Sequence, residues 1–146
     1  MEHATTVLIA DGAEEFCSAL SAALQRSDGF QVVGTAGDGE QAIRMIGERK
    51  PDILVLDLML SKQDGFSVLK SMANMERRPV TLATSTFLTE YVSSAAAGLG
   101  VKYLMLKPCD MSALAGGDPR WGEPADHRPA PPGQDRYRIH GHGNYP

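Results

Sequence analysis

A chain of 146 residues is of single-domain length and can bury a sizeable core, and its 42% hydrophobic and 22% charged residues are those of a globular protein. A formal charge of −4 and a pI near 5.5 speak against a nucleic-acid-binding surface, and no basic patch stands out along the chain. No apolar run is long enough to span a bilayer, the first residues lack the basic and apolar regions of a secretion signal, and Cys17 and Cys109 have no metal-ligand spacing, so reduced thiols and a cytoplasmic location are expected.

Val7, Leu8, Ile9 and Ala10 form a short apolar run that ends in Asp11-Gly12, a buried-strand pattern with an acid at its carboxyl end. Residues 13–27 place Phe16, Leu20, Ala23 and Leu24 at helical spacing, with Glu14 and Glu15 in the first turn where the helix dipole favours acids. The spacing predicts an amphipathic helix, with Cys17 beside its apolar stripe as a core residue. Asp28-Gly29 turns the chain into a strand over 30–34, and a second helix over 38–49 brings Ala42, Ile43 and Ile46 inward before Lys50-Pro51 stops it.

Ile53, Leu54, Val55 and Leu56 then run without interruption into Asp57. Such a run reads as a strand buried on both faces, as in a parallel sheet covered by helices, with Asp57 at the carboxyl edge. A third helix is expected over 66–74, a strand over 80–84 ending in the hydroxyls of Thr84, Ser85 and Thr86, and an alanine-rich helix over 89–97 closed by Gly98 and Gly100. A fifth strand over 103–106 ends in Lys107-Pro108, and Met45, Met72 and Met105 fall in apolar patterns that place them in the core. Strands and helices alternating in this way predict an α/β fold, a doubly wound five-stranded parallel sheet with right-handed crossovers.

A last helix opens at 111–115 and then the character changes. Residues 116–146 hold six Gly, six Pro, four Arg and three His with almost no aliphatic side chains. Too little apolar surface is available there to offset the entropy of ordering the segment, so a domain over 5–115 and a disordered tail over 116–146 are expected. His140-Gly141-His142 in that tail is not read as a metal site, and Cys109 is read as a packing residue.

Taken alone, Asp57 has two readings: a nucleophile or metal-binding carboxylate, or an Asp that starts a turn. The other strand ends favour the first. Asp11 follows the first strand, Thr84 and Ser85 the fourth and Lys107 the fifth, and in a doubly wound sheet these ends share one edge. Two carboxylates close together call for a hard divalent cation such as Mg²⁺, and an ammonium and a hydroxyl suit a bound anion. The set fits transfer of a phosphoryl group onto Asp57, giving an aspartyl phosphate.

Ile9-Ala10-Asp11, Leu54-Val55-Leu56-Asp57, Asp64-Gly65, Thr84-Ser85 and Leu106-Lys107-Pro108 together resemble the receiver domain of two-component response regulators, over roughly residues 5–115. Within that family, 51–57 and 106–111 look most like the receivers of sporulation-initiation regulators, the stage-zero sporulation protein A type. The resemblance implies a flavodoxin-like fold in which Asp57 accepts a phosphoryl group from a histidine kinase or phosphotransfer protein. It implies that Asp11 and Asp57 hold Mg²⁺ with the Met59 carbonyl, and that Lys107, followed by a cis bond to Pro108, grips the phosphoryl oxygens. A hydroxyl moves inward on phosphorylation; Thr84 fits by its distance from the start of the fourth strand, Ser85 by counting back from Lys107. Such a domain is regulatory rather than an enzyme, beyond self-catalysed phosphoryl transfer and dephosphorylation. Homodimerisation on phosphorylation and sporulation-type control of transcription through an effector domain absent here also follow, with no nucleic acid or membrane bound by this chain itself.

The chain departs from the family pattern in four places. Gly12 stands where a second acid is usual, which weakens the expected Mg²⁺ site, and Glu14 and Glu15 are read as solvated first-turn acids rather than substitutes. Leu60-Ser61 replaces Met-Pro after the acceptor, Leu104 stands where an aromatic residue is common, with Tyr103 on the opposite face, and the last helix is shortened. A second expectation is therefore a pseudo-receiver, a binding module that is not phosphorylated. A third, a hydrolytic phosphatase, needs another acid near Asp57, and the loop offers none before Asp64.

Overall fold

The computed structural model describes residues 4–107. The helix expected from residue 111, the Lys107-Pro108 bond, Cys109, the His140-Gly141-His142 stretch and the expected disorder of 116–146 lie outside the described residues. Strands β1 (Thr5–Ala10), β2 (Phe30–Ala36), β3 (Ile53–Asp57), β4 (Val80–Ser85) and β5 (Tyr103–Leu106) alternate with helices α1 (Glu14–Gln25), α2 (Gly39–Arg49), α3 (Gly65–Ser71) and α4 (Glu90–Gly98). The strands form one sheet in the order β2-β1-β3-β4-β5, every neighbouring pair parallel, as the alternating pattern predicts.

The two faces of the sheet are covered by different helices. Leu8, Leu54, Leu56, Ala83 and Leu104 point to the side where α2, α3 and α4 place Ala42, Met45, Ile46, Val68, Leu69 and Ala96. Val7, Ile9, Ile53, Val55, Leu82 and Met105 point to the side where α1 places Cys17, Leu20 and Leu24, with Tyr103 half-buried there. β1 and β3 lie in the middle of the sheet, so their apolar runs are buried on both faces, at about 1.5 to 3 kcal/mol for each large side chain. Leu54, with no exposed surface, is the sharpest case: Leu54→Ala is expected to cost about 2 to 5 kcal/mol, read from the urea midpoint at unchanged slope.

Three helices begin on a side chain that satisfies an otherwise orphaned N–H. Asp38 accepts from Gln41 N at 2.9 Å, Asp64 from Ser67 N at 2.8 Å and Thr89 from Val92 N at 3.1 Å. The element ends differ from the sequence reading where pairing or hydrogen bonding overrides local preference. β2 continues through Gly34 to Ala36 because β1, after a register shift between Val7 and Leu8, pairs with it to its end, Ala10 opposite Ala36. α3 ends at Ser71 rather than 74, since the bonds from Met72 N to Leu69 O and from Ala73 N to Lys70 O tighten its last turn.

Asp52, which the sequence presents only as the entry to β3, ties the amino edge of the sheet together. Its Oδ2 accepts from the backbone N and the hydroxyl of Thr6 at 2.9 and 3.0 Å, and its Oδ1 accepts from Arg77 at 2.6 Å. The Thr6 N–H first, with Arg77 helping, holds this carboxyl below its ordinary value, so it stays ionised as a structural anchor at the edge opposite Asp57.

Candidate functional site

Alternation along the strands decides which side chains meet at the carboxyl edge. Val7 and Ile9, Val55, Leu82 and Met105 share the α1 face, and Asp11, Asp57, Thr84 and Lys107 are each the next positions of that same parity. Asp57 and Thr84 are register partners across β3 and β4. Ser85 has the parity of Ala83, on the other face, and its hydroxyl oxygen accepts from Phe87 N at 3.1 Å. The sequence left Thr84 and Ser85 open; register and alternation put Thr84 on the side of Asp57.

Asp11 is almost completely enclosed, its side chain 2% exposed. Its backbone N–H donates to Ala36 O at 2.9 Å, its Oδ1 accepts from Ala13 N at 2.8 Å where α1 begins, and its Oδ2 lies 2.6 Å from Lys107 Nζ. Lys107 therefore reaches across from the far strand and neutralises a buried carboxylate. The same ammonium stands 3.7 Å from Asp57 Oδ2, an ion-pair distance but not a hydrogen bond, and 4.6 Å from the centre of the Phe16 ring.

Asp57 is the most accessible of the two carboxylates, yet only partly so. Its Oδ1 accepts from Met59 N at 2.9 Å. Burial raises its carboxyl above the ordinary value and the Asp11 charge adds to this, while the Met59 N–H and Lys107 pull the other way. Thr84 is wholly buried, and its Oγ1 has no hydrogen-bond partner among the described residues. A buried hydroxyl without a partner costs about 1 to 3 kcal/mol, which sets Thr84 apart from the other buried polar side chains at this edge.

Asp11 and Asp57 are oxygen donors, as is the Met59 carbonyl that the resemblance adds to them, and such a set would suit a hard divalent cation that keeps several of its waters. Among the described residues no group of three or more His, Cys, Asp or Glu converges on one point, and Glu14 and Glu15 are exposed in the first turn of α1, as solvated acids are. The donors thus fit Mg²⁺, with one carboxylate fewer than the resemblance leads one to expect. Gly12 has room for the missing acid: a Cβ built on it meets only Gly37 O, at 3.4 Å, and its φ is not in the left-handed region. Gly12→Asp is expected to tighten Mg²⁺ about tenfold or more, since affinity follows the number of charged ligands; calorimetric titration giving the wild-type constant would refute this account of the site.

Two residues of the site were not legible as such in the sequence. Phe16 reads there as one position of a core stripe, whereas it also forms a face under the Lys107 ammonium. Cys17 is core as expected, and its thiol also donates to the Asp11 carbonyl at 3.3 Å; burial, with the Asp11 charge, pushes the thiol up, so it stays protonated. The one available signal was their position, five and six residues beyond Asp11 in the first turn of α1.

The sequence profile described as the response regulator receiver domain matches residues 7–116. Among solved structures, the receiver domain of the putative response regulator NarL from Mycobacterium tuberculosis is 25% identical with a TM-score of 0.71, over 76% of this chain and 90% of that one. The CheX–CheY–BeF3–Mg²⁺ complex from Borrelia burgdorferi matches at 25% identity and TM-score 0.69, over 75% and 82%. The N-terminal domain of an uncharacterized protein, WS1339, from Wolinella succinogenes matches at 27% and 0.68, over 76% and 88%. A profile that runs from the first strand past the last described residue, on a chain whose fold matches that of solved receiver domains, establishes that the chain belongs to the response regulator receiver domain family.

Proposed function

We propose that this chain is a phosphoacceptor relay in two-component signalling, with Asp57 as the acceptor. A carboxylate oxygen of Asp57 attacks the phosphorus of a phosphohistidine on a histidine kinase or phosphotransfer protein; the P–N bond breaks and its electron pair stays on the imidazole nitrogen. Lys107 moves its ammonium from Asp11 toward the phosphoryl oxygens, and Thr84 supplies a hydroxyl hydrogen bond to one of them, with Ser85 the alternative donor. Asp11, Asp57 and the Met59 carbonyl would hold Mg²⁺, which neutralises charge on the phosphoryl oxygens when bound.

The observation that carries this reading is Thr84: a hydroxyl with no exposed surface and no partner among the described residues, in register with Asp57. Incubation with Mg²⁺ and a small phosphodonor is expected to add one phosphoryl group by intact mass, mapped to Asp57. The absence of any adduct at every donor and Mg²⁺ concentration would sink it.

A regulatory role follows, with a cytoplasmic location, a kinase or phosphotransfer partner and homodimerisation on phosphorylation as its extensions. Control of transcription of the sporulation type rests on the motifs at 51–57 and 106–111 alone. The domain limits, 5–115 with a separate tail over 116–146, rest on composition. Among the described residues no helix is long and apolar enough to cross a membrane. The pseudo-receiver reading is favoured by one specific observation, Gly12 in place of an acid beside Asp11, and the same mass measurement separates the two.

A further inference from the structure

The loop that follows Asp57 is held from an unexpected side. Residues 58–64 join β3 to α3, with Leu58 and Leu60 buried and Gly65 N donating back to Leu58 O at 3.1 Å. Halfway along, the first residue of α2 takes hold: Gly39 N donates to Ser61 O at 3.1 Å, and Asp38 Oδ2 lies 3.5 Å from Lys62 Nζ. Lys62 itself adopts a left-handed backbone, φ 66°. A Cβ built on Gly39 would stand 1.7 Å from Gln63 O and 2.5 Å from Gln63 C. Those are backbone atoms, so no side-chain rearrangement makes room, and only glycine lets the loop lie against the helix.

We propose that the Asp38-Gly39 corner of α2 is a positioning element of the acceptor site, acting through the loop. The chain of contacts is short. Gly39 sets the path of 61–63, that path sets where Met59 stands, and the Met59 N–H holds Asp57 Oδ1 at 2.9 Å. The Met59 carbonyl, which the proposed Mg²⁺ set includes, is carried by the same segment. Asp38 also caps α2 through Gln41 N, so one side chain orders the helix start and pairs with the loop. The inference rests on the phosphoacceptor reading of Asp57, but the geometry it invokes is independent of it.

The test compares two alanines in one helix. Gly39→Ala places a methyl group in the loop backbone, whereas a Cβ at Gly47 meets nothing within 4 Å. With both variants folded by circular dichroism, Gly39→Ala is expected to slow phosphorylation by a small phosphodonor about tenfold or more, to weaken Mg²⁺ binding measured by calorimetry, and to shift the Met59 and Ser61 amide resonances. Gly47→Ala should leave all three at the wild-type values. A folded Gly39→Ala with an unmoved Met59 amide and wild-type Mg²⁺ affinity overturns the proposal. Should Gly39→Ala fail to fold, Asp38→Asn decides: it keeps the oxygen that caps Gln41 and removes the charge facing Lys62. A Met59 amide shift with a twofold to threefold slower reaction supports the corner, and wild-type behaviour overturns it. Lack of any adduct on the wild-type protein would overturn the acceptor reading instead, with the Met59 amide still reporting on the corner.

Discussion

Asp57→Asn is expected to abolish the phosphoryl adduct completely and, in the absence of Mg²⁺, to leave a more stable protein. The first effect follows because the amide oxygen is not a nucleophile toward phosphorus and the neighbouring carboxylate is not free to take its place. Asp11, the nearest acid, is 2% exposed and already committed to Lys107 at 2.6 Å. The second effect follows from the sign of the Asp57 shift. Burial raises its carboxyl above the ordinary value, so the ionised form is less favourable in the folded protein than in the unfolded chain. What Asp57 contributes to stability is fully present below its unfolded pKa, about 3.9, and is lost as pH rises through the raised folded value. The penalty of holding the ionised carboxyl grows with pH in the wild type and is absent from the amide, while the Met59 N–H keeps an oxygen to donate to. A higher Tm for the Asn variant is expected at pH 7, with an advantage that shrinks toward pH 4. Thermal melts at both pH values check it, and a destabilised Asn variant at pH 7 without Mg²⁺ would show that Lys107 outweighs burial.

Lys107→Ala is expected to act on both stability and chemistry. Removing the ammonium leaves the Asp11 carboxylate buried with only the Ala13 N–H as a partner among the described residues, and an uncompensated buried charge costs about 3 to 5 kcal/mol. Access to water at the open edge of the sheet places the expected loss near the lower bound. Asp11→Asn in the same background should recover most of it, because the charge that needed a partner is gone; urea denaturation of the four proteins of that cycle measures the coupling. Phosphorylation is expected to slow by about 10²-fold to 10³-fold, the usual loss for one preorganised donor to a developing anion. Phe16 gives the control: Phe16→Leu keeps the apolar contact with the α1 face and removes the ring 4.6 Å from Nζ, so it should have a small effect on both measurements.

The parts of this protein that depend on residues close in sequence are readable without the structure. An uninterrupted apolar run such as 53–56 specifies a strand buried on both faces whatever surrounds it. Helical spacing from Phe16 to Leu24 specifies which side of α1 is buried, and the acid, hydroxyls and lysine after four strands mark the edge where a site is built. Element order, the parallel sheet and the identity of Asp57, Asp11 and Lys107 as neighbours all follow from that local information and from the chirality of the crossovers. Even the departures, Gly12 and Leu104, stand out in the sequence; the first proves sterically able to take an acid, and the second is wholly buried on the α2–α4 face.

Only the tertiary structure decides matters that turn on which distant residues are set side by side. Counting along the chain leaves Thr84 and Ser85 equivalent, and the pairing of Asp57 with Thr84, with side chains alternating between faces, separates them. No local signal says that Lys107 takes Asp11 at 2.6 Å and leaves Asp57 at 3.7 Å, or that Phe16 lies under its ammonium. Nor does a glycine opening a helix disclose that a loop backbone 24 positions on lies against it, Gly39 against Gln63. The physical reason is the same in each case. Periodicity and turn chemistry act within a few residues and are written in the sequence, whereas register and close approach are set by lateral pairing and packing of whole elements, where a shift of one residue reverses which face a side chain occupies.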